Sequence, residues 1–234
     1  FFPRWQMEYT NNTLGWDVSG YYFYLPAAFV YKDLKKLAFG PEVVEKYVFT
    51  PGLGHIHQVD NGNYVIKYSA GQAVSYSPFF AVAHLYALNS EYPADGFSKP
   101  YQFMISMGSL LIAFLGLFYL RKILLSWFSD GIVAVTLLMI VFASNYLDYS
   151  AINGALTHNF LFTYYCLIIW WTHLLYKRPS TRLALLIGAF IGLCALTRPT
   201  EIIAILIPLC WGLTSLRFDA IRTQLNFLTT HKTK

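Results

Sequence analysis

What most constrains this chain is a succession of long apolar stretches, 101–120, 131–146, 160–176, 183–196 and 202–216, separated by short polar connections. A helix needs about 20 mostly apolar residues to cross a hydrocarbon layer of about 30 Å, where every backbone N–H and C=O must be satisfied within the segment. Five such stretches predict an all-α fold, a polytopic membrane helix bundle. The second and fourth are short as bounded, but uncharged flanking residues lengthen both. Composition agrees with that class: 56% of the 234 residues are hydrophobic, 12% are charged, and the mean hydropathy is +0.43.

Lys and Arg concentrate in the cytoplasmic connections of membrane proteins. Arg121-Lys122, Lys177-Arg178 with Arg182, and Arg217 with Arg222 follow alternate stretches, so placing all three sites inside gives a consistent topology. Nine of the 17 basic residues then lie inside, with only two of the 12 acidic ones, Asp130 and Asp219. Residues 1–100 and the connections 147–159 and 197–201 fall outside. The stretch 71–89 carries no charge but contains Gln72, Ser75, Ser77, Pro78 and His84, and the parity holds if it lies in the interface instead of spanning. The expected organisation is a first outer loop with interfacial helices at 1–100, a transmembrane portion of about five helices at 101–216, and a cytoplasmic segment at 217–234. Within the loop, 21–37 is aromatic-rich, 41–48 reads as a short helix, and 51–63 as a turn region containing Gly, Pro and His. A start at Phe1 and a stop soon after an apolar stretch read as a piece of a longer protein.

No Lys/Arg tract is interleaved with aromatics, which argues against a nucleic-acid partner. No phosphate-cradling glycine loop, Gly-x-Ser-x-Gly elbow or His-Glu-x-x-His helix occurs. Cys166, Cys194 and Cys210 sit inside apolar runs without metal-type spacing. The unusual polar residues gather on the outer side: Asp17, His55, His57, Asp60, Lys67, Asp148, His158, Arg198 and Glu201. Asp17 is either a turn carboxylate or a general base for a hydroxyl or amine acceptor. Lys67 suits a phosphate oxygen, or else snorkels at the interface. Arg198-Pro199-Thr200-Glu201 interrupts an apolar run, so Arg198 either marks a helix boundary or pairs with a phosphate or a carboxylate. Asp148 and His158 form a candidate pair for a divalent metal, the plainer reading being a satisfied interfacial histidine. His55-Ile56-His57 with Asp60 has no firm ligand spacing.

Three motifs, in order along the chain, resemble the GT-C class of membrane glycosyltransferases, especially the family 39-like group that includes protein O-mannosyltransferases and aminoarabinose transferases. Asp17 in Trp16-Asp17-Val18-Ser19-Gly20-Tyr21-Tyr22 resembles the acidic motif of that family's first outer loop. Lys67-Tyr68-Ser69-Ala70-Gly71 resembles its Lys-(Tyr)-Pro-Pro-Gly-like segment, with Ser69-Ala70 replacing the Pro pair. Gly192-Leu193-Cys194-Ala195-Leu196-Thr197-Arg198-Pro199-Thr200 resembles a later turn. The second outer loop departs from the family, placing His158 where an Asp is usual.

The resemblance implies an outward-facing enzyme of the cell envelope, in a bacterial inner membrane. It would move a hexose or pentose from a polyprenyl-phosphate donor to a glycan, lipid or protein acceptor, with inversion. Asp17 would be the catalytic base, Lys67 and Arg198 would bind the donor phosphate, and Tyr21, Tyr22 and Glu201 would contact donor or acceptor. A divalent metal at Asp148 and His158 stays open as a cofactor. The alternative expectation is a transporter or flippase fragment with Arg198, Glu201 and His158 along a pathway.

Overall fold

The computed structural model describes residues 2–213. Arg217, Arg222, the end of the fifth apolar stretch and the segment 217–234 lie outside the described residues. The chain divides into two compact units, Phe1–Phe114 with Leu138–Phe160, and Leu115–Leu137 with Leu161–Lys234. The described residues are predominantly helical, as expected, with one two-stranded hairpin whose first strand lies inside the region read as turns, 51–63, and whose second strand follows it.

In chain order the elements are α1 (Asp17–Tyr22), α2 (Tyr24–Phe29), α3 (Gly40–Tyr47), β1 (Ile56–Gln58), β2 (Tyr64–Ile66), α4 (Gly71–Leu88) and α5 (Lys99–Leu124). After these come α6 (Asp130–Phe142), the π-helical turn Asp148–Ile152, α7 (Thr157–Lys177), α8 (Thr181–Thr197), a 3-10 helix at Pro199–Ile205, and α9 (Leu206–Cys210).

The apolar stretches 101–120, 160–176 and 183–196 are helical throughout, while 131–146 breaks after Phe142 and 202–216 after Cys210; α5 alone among the described helices is both long and apolar enough to cross a membrane. The reasons are local. At the rise of about 1.5 Å per residue, α6 falls well short of a hydrocarbon layer. In α7, Thr157, His158, Asn159, Thr163, Thr172 and His173 dilute the apolar residues. The last stretch opens as a 3-10 helix at Pro199 before α9 begins. On α5, Leu111, Phe114, Leu115 and Phe118 face outward, as do Ile132, Val135, Leu138, Met139 and Phe142 on α6.

The first unit is held together by aromatic rings. Phe23, Phe49 and Phe97 are almost fully buried. The Phe23 ring lies 5.2 Å from Phe39, 6.1 Å from Phe49 and 5.6 Å from Phe97, while Phe49 stacks on Phe97 at 5.3 Å. Burial of one such side chain contributes about 1.5–3 kcal/mol, and edge or offset contact between rings adds to it. Tyr22 is completely buried, and its hydroxyl donates to the Gly96 carbonyl, tying α1 to the loop before α5. Gly96 has φ +89, and a Cβ there would come within 2.7 Å of the Pro26 side chain. Tyr76 of α4 likewise donates to the Ala155 carbonyl.

α3 matches the short helix expected at 41–48. Pro41 fits its first turn, Glu42 and Lys46 complement the dipole at its two ends, and Val48 ends it in the left-handed region. Beyond it, β1 and β2 pair antiparallel, with Ile56 opposite Ile66, His57 opposite Val65 and Gln58 opposite Tyr64. Gly62, at φ +73, turns the connection, and Lys36 Nζ donates to its carbonyl at 2.8 Å. The interfacial candidate at 71–89 is α4. It buries Gln72, Tyr76, Phe80 and Ala83 and exposes Val74, Val82, Leu85, Tyr86 and Leu88.

In the second unit, α8 leads directly into the 3-10 helix Pro199–Ile205. There Tyr165 Oη donates to Glu201 Oε2 at 2.6 Å and Tyr176 Oη to the Pro208 carbonyl at 2.8 Å.

Candidate active site

Asp17 begins α1 because the residue before it turns the chain sharply. Trp16 adopts φ 55 and ψ −129, a strained conformation for a bulky side chain that costs on the order of 1–3 kcal/mol. Its N–H donates to the Phe49 carbonyl at 3.0 Å, and its own carbonyl accepts from Ser19 Oγ at 2.6 Å. These bonds leave the Trp16 ring and the Asp17 carboxylate both exposed at the head of a helix whose next residues are buried.

The hairpin brings the partners of Asp17. Lys67 N–H donates to the His55 carbonyl at 2.8 Å, extending the ladder by one pair, so His55 and Lys67 stand opposite each other. Tyr68, the next residue, donates from Oη to Asp17 Oδ1 at 2.5 Å. Tyr24 Oη fixes the Tyr68 carbonyl at 2.6 Å, and the Tyr21 ring lies 4.4 Å from the Tyr68 ring. Burial, with the Asp17 carboxylate adding to it, pushes the Tyr68 phenol well above its ordinary value, so the hydroxyl remains a donor at neutral pH. The approach depends on Gly20, where a Cβ would stand 2.2 Å from Tyr68 Cδ2 and 3.1 Å from His55 Cδ2.

Trp16, Asp17, Thr50, His55, Lys67 and Tyr68 line one cleft of about 380 Å³. Lys67 is exposed, with its Nζ 5.5 Å from the centre of the Tyr68 ring. His55 is only 7% exposed, and burial pushes its imidazole below its ordinary value; Asp17 opposes that shift, while His57 and Lys67 add to it.

Asp17 also borders a second cleft of about 250 Å³, whose other walls include Arg4, Thr13, Ser106, Ser150 and Asn153. Arg4 Nε donates to the Asn11 carbonyl at 2.8 Å, and its Nη1 donates to Asn153 Oδ1. Asn153 Nδ2 donates onward to Asp148 Oδ1 at 2.9 Å. Burial lowers the Arg4 guanidinium from its ordinary value while Asp148 raises it. Asp17 thus stands between a cleft with a lysine and a cleft with an arginine.

Tyr22 has no surface to offer a ligand: it is fully buried and bonded to Gly96, so its expected contact role is corrected to that of an anchor for α1. Tyr21 is buried and supports Tyr68. The carboxylate of Asp148 accepts from Asn153, and the His158 ring lies 4.1 Å from the Tyr149 ring. Among the described residues no three His, Cys, Asp or Glu side chains gather to hold a metal ion, so Asp148 and His158 lack a third protein ligand of that kind. His57 and Asp60 are exposed on the hairpin. Arg198 and Glu201 belong to the second unit, where Arg198 is half-buried at the junction of α8 with the 3-10 helix and Glu201 is bonded to Tyr165.

Arg4 and Tyr68 have no role assigned from the sequence, and His55 stands out there only as a ligand candidate without firm spacing. Tyr68 carried a signal in its position beside Lys67, whereas Arg4 depends on a contact 149 residues away along the chain. No protein family, curated protein or solved structure matches this chain.

Proposed function

We propose that the chain is part of an integral membrane, multi-pass glycosyltransferase of the GT-C type, moving a sugar from a polyprenyl-phosphate donor to an acceptor on the outer face. The observation that carries this reading is the cleft that holds a tyrosine-bonded carboxylate, Asp17, together with the Lys67 cation and the exposed Trp16 ring. A carboxylate held by one oxygen keeps its orientation, and Oδ2 accepts no hydrogen bond from the described residues. The outward-facing apolar side chains of α5 and α6 support a lipid setting, since soluble monomers rarely expose such continuous apolar surface.

In the reaction, the acceptor nucleophile in the Arg4 cleft gives its proton to Asp17 as its lone pair attacks the anomeric carbon. The bond from that carbon to the phosphate oxygen breaks, and the electron pair leaves with the phosphate. Lys67 offsets the charge growing there. Attack from the side opposite the leaving group inverts the anomeric centre. General-base action of this kind contributes about 10²–10⁴-fold. The experiment that tests the reading incubates the full-length purified protein with polyprenyl-phosphate sugars and identifies the product by mass spectrometry. Transfer supports it, and failure to consume any member of a hexose and pentose panel overturns it.

A further inference from the structure

Among the described residues, one buried side-chain polar atom in the wall of the Asp17–Lys67 cleft has no partner. His55 Nε2 is buried and makes no hydrogen bond, in a side chain 7% exposed that lines the same cleft as Asp17 and Lys67. Buried polar nitrogens are nearly always bonded, because leaving one unmet forfeits its hydration without replacement. Packing does not explain the choice of residue. The His55 ring meets Phe23 edge-on at 5.9 Å and lies 6.4 Å from Tyr68, surroundings that a phenylalanine would fill without an orphaned atom.

The neighbouring groups define what would bond that nitrogen. An exposed aromatic face (Trp16), a hydroxyl (Thr50), a carboxylate (Asp17) and a cation (Lys67) share the cleft, a mixture that fits a hydroxylated ring joined to an anion. The imidazole itself is neutral at pH 7, as its burial requires, and so is suited to a hydroxyl more than to the anion. We propose that His55 binds a sugar hydroxyl of the donor through Nε2, making it a specificity residue for the glycosyl group, while Lys67 binds the phosphate. This rests on the transferase reading and adds to it which residue recognises the sugar.

The division of labour is tested by binding to the full-length protein in lipid nanodiscs. The probes are bare polyprenyl phosphate and a panel of polyprenyl-phosphate hexoses and pentoses. Wild type is expected to bind at least one glycosylated probe more tightly than the bare phosphate. His55→Phe keeps the packing and removes the nitrogen; it is expected to weaken that glycosylated probe about tenfold and leave the bare phosphate unchanged. His55→Gln, whose amide nitrogen reaches a similar position, restores most of the loss. Unchanged binding of the bare phosphate also reports that the variant is folded. Retention of the full sugar preference by His55→Phe overturns the assignment of His55, as does an equal loss on both probes. If wild type binds no probe at all, the transferase reading falls, and the role of His55 with it.

Discussion

Among single residues, the proposed chemistry depends most on how Asp17 is held. Tyr68 Oη bonds one carboxylate oxygen at 2.5 Å, so Tyr68→Phe should free the carboxylate to rotate without emptying the cleft. The expected result is a fall in kcat of about tenfold with KM nearly unchanged, the size of one hydrogen bond lost from an oriented group. A rise in KM with kcat intact would assign Tyr68 to binding instead. His55 makes a second prediction, about stability and pH. Its folded form is neutral because burial depresses its pKa below the ordinary 6.5 of the unfolded chain. As pH falls below about 6.5 the unfolded chain takes up that proton more readily than the folded one, so stability drops toward acid and is intact above neutrality. His55→Gln should flatten this acid limb, measured as thermal midpoint between pH 7 and about pH 5.

At the scale of elements, the site exists because a hairpin lies against α1, and Gly20 permits the approach. Gly20→Ala would put a methyl group 2.2 Å from the Tyr68 ring, and that ring is backed by Tyr21. The expected outcome is a destabilisation of about 1–3 kcal/mol with loss of the Tyr68–Asp17 bond, read as a lower thermal midpoint and reduced transfer. The helices themselves were largely legible in the sequence. The expected helix at 41–48 corresponds to α3, Gly40–Tyr47, and the apolar stretches at 101–120, 160–176 and 183–196 all lie inside α5, α7 and α8. The hairpin was not legible, since Ile56–Gln58 and Tyr64–Ile66 are three residues each, too short to show a period of two against the turn residues around them. Its consequence, that His55 faces Lys67 and Tyr68 meets Asp17, was hidden for the same reason. Tyr22 misled in the opposite sense. It sits among aromatics close to Asp17 in sequence, but five residues of α1 turn it about 140° around the helix axis, onto the buried face.

At the scale of the whole molecule, hydropathy and charge speak more strongly for a membrane than helix length does. α5 alone meets both length and apolarity among the described helices, while the basic residues at 121–122 and 177–182 still fall where alternating spans would place them. The membrane reading therefore predicts the side on which a cysteine is labelled. A cysteine replacing Asp60 should react with an impermeant reagent from outside, and one replacing Lys177 only from inside or after permeabilisation. Reaction of both from one side would contradict the alternating topology. Lys67→Ala should weaken binding of bare polyprenyl phosphate, and more steeply at low salt, because an exposed cation is screened as ionic strength rises.

The claim beneath all of these is that Asp17 takes the proton of the acceptor. Asp17→Asn keeps the size of the side chain and can still accept a hydrogen bond from Tyr68, but it removes the base. In the full-length protein, matched for abundance and membrane insertion, the account predicts that turnover of the polyprenyl-phosphate sugar falls by at least about 10²-fold while donor binding is retained. Turnover close to that of the wild type would contradict it.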